Sequence, residues 1–453
     1  MLRKLRNHLR LLRDDPGRFA ANLQQFTNPA AFRDRLLDVL TAPPLHVRVD
    51  DTMPPAVNVL RPPLRAEAMT GGPNTVVNLA FWLAMQDVPV RLIAAPPGPG
   101  TQLDWFWRHL ASVTGETTRP AGLTVATAHD PANPLPIGRR DVFLATHWTT
   151  AQRVKELLPQ MAVRRCFYLI QDFEPGFYPW SSNHALALET YALDHIGIFN
   201  EQLLFDYVRE QQPGRYADAA FAADSLVFEP AIDRTMFHPP AAKQRPGPRR
   251  LLFYARPTNE RNMLGLGLAA LQAAIGDAAF SGAPWEFLAI GGRGGLPVMP
   301  LRSGAMLRPA PWADYASYAR LLQESDILLC PMLSPHTSYA ALEMAACGGL
   351  VVTNSFATKT AARLAAISPN IIAVAPTETG FTQGLIAAAA RVGGGRDSGA
   401  PLTMPADWRT ALSPTAAALA QAFRQMTETV RSASPHPNTG QATSSSTAGT
   451  RVT

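Results

Sequence analysis

The chain has 453 residues, 47% hydrophobic and 17% charged, with a formal net charge of +6 at pH 7. That length exceeds a single ordinary core and predicts two domains of roughly 200 residues. The composition is that of a soluble globular protein, its mild basicity suits anionic ligands such as nucleoside diphosphates or anionic lipid, and no Arg/Lys-plus-aromatic run marks a nucleic-acid module.

Three cysteines, Cys166, Cys330 and Cys347, sit in apolar segments with no CxxC pairing. They speak against a disulfide framework or zinc site and for a reducing compartment. No apolar stretch reaches the roughly 18 residues of a membrane span, and basic residues interrupt the first apolar positions before a signal-peptide core could form. The expectation is a cytoplasmic protein.

Residues 1–42 read as a helical extension. Within it Leu2, Leu5, Leu9 and Leu12 recur at helical spacing, with Arg3, Lys4, Arg6, Arg10 and Arg13 mostly on other faces. Residues 1–13 therefore suit an anionic membrane surface at the inner face of the membrane, and equally a helix packed on the following domain with a solvated basic side. Strands and helices then alternate over 43–238. Strands are predicted at 56–61, 88–95, 123–128, 141–146, 165–171, 195–200 and 225–229, and helices at 75–86, 103–113, 151–158, 185–192 and 202–211. This alternation predicts a parallel, doubly wound sheet.

Residues 239–250, rich in Pro and cations, lack either periodicity and read as a linker. A second alternating series fills 251–405, with strands at 251–255, 285–290, 327–330, 350–353 and 371–375 and helices at 263–275, 315–323 and 377–392. Residues 406–431 read as a C-terminal helix and 432–453, dominated by Ser, Thr, Pro and Gly, as a disordered tail. The predicted fold class is α/β, with two Rossmann-like halves and a ligand cleft between them.

Six loops at predicted strand ends carry candidate chemistry. Strand 251–255 runs into Arg256, with Arg261 five residues later, and two such guanidinium groups converge on phosphate oxygens bidentately or form a surface pair with Glu260 as partner. The next strand ends at Gly291-Gly292, where missing side chains let a ligand approach the backbone, or where the loop is merely flexible. The segment Asp326–Asn354 reads as strand, loop, helix and strand. Its loop carries Ser338 and Tyr339 at the helix start, and Glu343 lies within the helix. Backbone amides at 337–339 suit phosphate through the helix dipole. In the first half, Gly71-Gly72 precedes a helix, His147 follows one strand, and Asp172 and Glu174 follow another beside Phe177, Tyr178 and Trp180. Aromatics with carboxylates are what sugar recognition requires. The competing reading makes His147 a structural histidine and Glu174 a turn-stabilising acid before Pro175.

These motifs resemble the nucleotide-sugar half of family 4 glycosyltransferases, which have the two-domain GT-B fold, and in particular bacterial rhamnosyltransferases of the WsaF kind. The strand followed by Arg256 and Arg261 matches the family pattern, although its commoner lysine is here Arg261. Glu343-Met-Ala-Ala-Cys-Gly-Gly-Leu-Val-Val matches its glutamate and following strand. One departure is Pro335, where the family often has a further glutamate. The form Ser334-Pro335-His336-Thr337-Ser338-Tyr339 resembles the WsaF branch.

The resemblance implies that Glu343 binds the donor ribose, that Arg256 and Arg261 bind the diphosphate, and that Gly71 and Gly72 lie beside it. It further implies transfer of rhamnose from dTDP-rhamnose to a glycan or lipid-linked glycan acceptor in bacterial cell-surface polysaccharide synthesis. Configuration would be retained, with no metal or other cofactor. If transfer inverts, Asp172 is the candidate base. An epimerase or phosphorylase on the same scaffold, and a non-catalytic nucleotide-sugar-binding scaffold, are the alternatives.

Overall fold

The computed structural model describes residues 44–433, apart from 62–63, 65–68, 70, 95–102, 241–246, 293–295, 312 and 394–399. The basic segment 1–13 and the tail beyond 433 lie outside the described residues. In chain order the first half contains β1 (Val47–Asp50), β2 (Val57–Arg61), α1 (Gly72–Ala84), β3 (Val90–Ala94), α2 (Leu103–Thr114), β4 (Leu123–Ala126), β5 (Leu135–Gly138) and β6 (Val142–Ala145). It continues with α3 (Trp148–Leu157), β7 (Cys166–Ile170), α4 (Ser182–Glu189), β8 (His195–Asn200), α5 (Gln202–Gln211), α6 (Ala219–Ala223) and β9 (Leu226–Phe228).

Seven of these strands form one parallel sheet in the order β4-β3-β2-β6-β7-β8-β9. Strands β2, β6, β7 and β8 are buried along their whole length, as a parallel sheet covered on both faces requires. The strand order reverses between β2 and β6. That is the topological switch point, where the loops after neighbouring strands part and leave a crevice.

The second half contains β10 (Arg249–Tyr254), α7 (Leu264–Ala274), β11 (Trp285–Ile290), β12 (Met299–Pro300), β13 (Met306–Pro309), α8 (Tyr315–Gln323) and β14 (Ile327–Leu329). It is completed by α9 (Tyr339–Ala346), β15 (Leu350–Asn354), α10 (Ala361–Ile367), β16 (Ile371–Val374), α11 (Glu378–Gly393) and α12 (Trp408–Ala433). Its sheet runs β12-β13-β11-β10-β14-β15-β16, parallel except for β12. The order here reverses between β10 and β14. Each half thus places its ligand crevice at the carboxyl ends of two central strands.

Several boundaries differ from expectation. Helix α1 begins at Gly72 rather than Thr75, because Gly71 adopts a left-handed φ of 51° as N-cap and Pro73 pre-sets the first turn. Strand β10 begins inside the expected linker. The pairs β1–β5 and β12–β13 were not expected, being runs of four residues or fewer. Among the described residues, no helix is long and apolar enough to cross a membrane.

Helix α12 extends from Trp408 and returns to the first half. Its Leu412, Ala416, Leu419, Ala420 and Phe423, three and four residues apart, are buried in the core around α1 and β2. The backbone bond from Ile232 N–H to Pro405 C=O and the Arg234 bonds to the carbonyls of Leu402 and Met404 pin the two interdomain crossings together. Leu412→Ala should therefore destabilise the first domain by about 2–5 kcal/mol, the usual range for a fully buried leucine. Urea unfolding followed by Trp fluorescence measures this, and a loss below about 1 kcal/mol would show that α12 is not part of that core.

Candidate active site at the domain interface

Both switch-point crevices open onto the same cleft. On the second domain, the loop after β10 carries Arg256 and Arg261. Arg256 is half-buried, with its guanidinium carbon 5.8 Å from the centre of the Tyr254 ring. Gly291, at the end of β11, has φ 85°, and a Cβ there would lie 2.6 Å from that ring and 3.2 Å from Arg256 Cγ. The glycine is what lets Arg256 lie against the sheet end. Gly292 beside it is exposed.

Arg261 spans the cleft. Its Nη1 donates to Asp172 Oδ2, and its guanidinium carbon lies 4.0 Å from the centre of the Phe177 ring. Both partners belong to the first domain. Asp172, at the end of β7, also accepts from Ser334 Oγ and from the Phe173 amide at 2.8 Å. Both Asp172 oxygens are thus engaged by residues that close the cleft.

The loop between β14 and α9 is held from both sides. The fully buried Lys359 donates from Nζ to the carbonyls of Met332 at 2.8 Å and His336 at 3.4 Å. Burial lowers its pKa to about 8. Asn354 both accepts from the Met332 amide at 2.8 Å and donates to its carbonyl at 3.1 Å. From the first domain, Glu201 accepts from the Thr337 amide at 3.0 Å and from its hydroxyl. Burial raises the Glu201 pKa to about 8. Glu201 and Ser338 both have left-handed backbone, φ 101° and 83°, costly for residues with a Cβ.

These contacts change the picture of the loop amides. The Ser338 amide donates to His336 Nδ1 at 3.0 Å and the Thr337 amide to Glu201, so neither is offered to a phosphate in this conformation. Tyr339 hydrogen-bonds through its hydroxyl to Thr75 Oγ1 at 2.6 Å and accepts from Asn200 Nδ2 at 2.9 Å. Its ring also lies 3.7 Å from where a Cβ on Gly71 would stand. Gly72 is tight against the Gln171 side chain, where a Cβ would meet Oε1 at 3.0 Å. Glu343 is buried behind this layer, and the hydroxyls of Tyr315 and Tyr318 donate to it at 3.3 and 3.0 Å. Burial raises its pKa to about 7.

His147 caps the N-terminus of α3, its Nδ1 accepting from the Thr149 amide at 3.3 Å. Burial of most of the ring lowers its pKa to about 4. Its Nε2 lies 3.9 Å from Glu174 Oε1, and Glu174, with a pKa pushed up to about 8 by burial, accepts from the Trp148 amide and from Tyr168 Oη at 3.2 Å. The pair braces the strand ends beside Phe177. The structure therefore brings Asp172, Arg261, Ser338, Tyr339, Gly71 and Gly72 to one interface, with Arg256, Gly291 and Gly292 along its second-domain edge. Glu343 and His147 stand in supporting positions.

Two spaces flank this interface. One, about 200 Å³, is lined by Asp172, Tyr178, Trp180, His184, Tyr207, Arg261, Pro335 and Phe356 among others. The other, between Gly71, Asn74, Tyr315, Tyr339 and Trp408, is about 20 Å³, room for little more than one water. Among the described residues, no group of three or more His, Cys, Asp or Glu side chains is arranged to hold a metal. Sequence reasoning missed Glu201, Lys359 and Asn354. Glu201 stands directly between strand and helix, as Asp172 does after β7, and that position was its available signal.

Two parallel-sheet domains whose switch-point loops meet across a cation-bearing cleft define the GT-B fold. The chain belongs to the WsaF family, since residues 56–202 match its N-terminal domain and residues 249–386 its C-terminal domain, together more than half of the chain. It is 40% identical over 224 residues to the O-antigen biosynthesis protein RfbC of Myxococcus xanthus, a match covering 47% of this chain and 15% of that relative's length. Among solved structures it is similar to sucrose-phosphate synthase from Thermosynechococcus elongatus, with TM-score 0.50, 14% identity and coverage of 84% of this chain and 98% of that one. That likeness shows the fold.

The Glu343 site makes a pH prediction. Its folded pKa, about 7, lies above the ordinary 4.5, so the fold favours the protonated form. The stability it contributes is fully present below pH 4.5 and is lost as pH rises through about 7, by roughly 3 kcal/mol in all. Glu343→Gln should be more stable than the parent protein by this order at pH 8 and no more stable at pH 4.5. Urea midpoints at the two pH values measure it, and an equal difference at both would contradict the assignment.

Proposed function

We propose that the chain transfers a sugar, rhamnose from dTDP-rhamnose, to a glycan acceptor during bacterial cell-surface polysaccharide synthesis. Membership of the WsaF family and the likeness to a protein named for O-antigen biosynthesis support this reading. The observation that carries it is the placement of Arg256 and Arg261 at the carboxyl end of β10, with Arg261 reaching the first domain at Asp172 and Phe177. The 20 Å³ space beside Gly71 and Tyr339 is far smaller than the several hundred Å³ a nucleotide sugar needs. Donor binding thus requires the domains to part, and the arriving diphosphate competes with Asp172 for Arg261.

In the reaction the bond from the anomeric carbon to the diphosphate oxygen breaks and a bond to the acceptor hydroxyl oxygen forms. Arg256 and Arg261 stabilise the charge developing on the leaving oxygen without the reorientation that water would need. Asp172 Oδ1 stays bound by Ser334 and the Phe173 amide, and the transfer proposed uses no protein base. The acceptor proton then passes to the leaving diphosphate on the same face, and configuration is retained. The acceptor occupies the larger space, where Tyr178, Trp180 and Tyr207 offer ring faces and Trp180 is 96% exposed. The transfer needs no metal.

Turnover of dTDP-rhamnose by the purified chain tests this. Arg261→Ala should lower kcat/KM at least about 100-fold, the scale of a lost transition-state cation, and EDTA should leave the rate unchanged. Near wild-type turnover by Arg261→Ala would refute the role of that arginine.

A further inference from the structure

Glu343 does not line the narrow space between the domains. It is buried, and the hydroxyls of Tyr315 and Tyr318 donate to its Oε1 at 3.3 Å and its Oε2 at 3.0 Å. Of these three residues it is Tyr315 that faces the space, beside Gly71 and Tyr339. Burial and the neighbouring carboxylate hold its phenol protonated, so the hydrogen stays directed at Glu343 and the oxygen lone pairs remain for a ligand.

Tyr315 is fixed in that pose. Asp314 caps helix α8, its carboxylate accepting from the Ser317 amide at 2.7 Å, and Tyr315 is the first residue of the helix. Its ring packs edge-on against Phe237 of the interdomain crossing, with centroids 5.4 Å apart. Tyr315, Tyr318 and Glu343 all belong to the second domain, so their mutual contacts survive the parting of the domains. The other polar groups on the space are engaged elsewhere: Asn74 Oδ1 with His109 Nε2 and Ser112 Oγ with the His109 carbonyl, each at 2.8 Å, and Asp233 Oδ1 with the Thr235 amide and hydroxyl at 2.8 and 2.6 Å. The rings of Tyr339 and Trp408 complete the wall.

A bare carboxylate accepts from both hydroxyls of a ribose at once, one on each oxygen. A single phenol oxygen in a fixed pose accepts from one. We infer that Tyr315 is the contact for the nucleoside's sugar and that it selects a 2′-deoxyribose, which brings one furanose hydroxyl, over a ribose, which brings two. The second hydroxyl of a ribonucleotide is left between aromatic rings without an acceptor, and an unpaired buried hydroxyl is costly. This rests on the proposed function in taking a nucleotide sugar as donor, and it adds that the nucleotide is a 2′-deoxynucleoside diphosphate.

Calorimetry of the full chain with dTDP and with ribothymidine diphosphate, which differs from it only by the 2′-hydroxyl, tests this. Wild type should bind dTDP at least about tenfold more tightly, within the roughly hundredfold limit for rejecting one added hydroxyl by apolar walls. Tyr315→Phe opens the Glu343 carboxylate to the ligand and should bring the two Kd values within about threefold of each other, whereas Tyr318→Phe, off the space, should keep the wild-type ratio. Equal affinities in wild type, binding of neither diphosphate, a ratio unchanged by Tyr315→Phe, or a ratio lost equally in both variants would overturn the inference. Transfer from dTDP-rhamnose is assayed separately, and its absence with the ratio present would refute the proposed function and leave this binding result intact.

Discussion

The contact on which the rest of the molecule depends is the meeting of Arg261 with Asp172 across the cleft. Both side chains are largely out of water, so breaking the pair without a substitute would leave two charges poorly solvated. Around it the loop between β14 and α9 is fixed by first-domain groups, Asp172 on Ser334 and Glu201 on Thr337, and by Lys359 and Asn354 of its own domain. The left-handed backbone at Glu201 and Ser338 persists because these contacts over-determine it. On the proposed function, a phosphate arriving at Arg261 replaces Asp172, which couples substrate entry to release of the closed cleft.

The remainder of the architecture makes such a cleft possible. Each sheet reverses its strand order once, and loops from the strand ends of both domains meet in a common space without disturbing either core. Helix α12 crosses back onto the first domain beside the other crossing at Ile232, so that the two connections between the domains are held together. Glu343 sits behind the loop, clamped by Tyr315 and Tyr318, and those tyrosines in turn pack against Phe237 of the crossing. The ribose-binding role expected for Glu343 therefore calls for its tyrosine partners to rearrange or to relay the contact, as Tyr315 itself lines the narrow space.

Much of this was legible in the chain because parallel strands are continuous apolar runs and their helices are long. Strands 195–200 and 285–290 and helices 202–211 and 315–323 stand where periodicity puts them. The loops at strand ends were legible for the same reason, since strand boundaries locate them. What one-dimensional reasoning could not reach is the pairing between loops. Asp172 and Arg261 are 89 residues apart and Glu201 and Thr337 136 apart, and no local pattern links them. The loop amides were read as free because helix starts normally leave them so, whereas here a carboxylate and an imidazole from outside the helix take two of them.

The most direct measurement is a crystal structure of the chain with dTDP. The expected result is the diphosphate between the β10 loop and the start of α1, in contact with Arg256 and Arg261, with the Arg261–Asp172 pair broken and the 20 Å³ space enlarged. A nucleotide bound outside the cleft with that pair intact would contradict the assignment of the interface as the donor site.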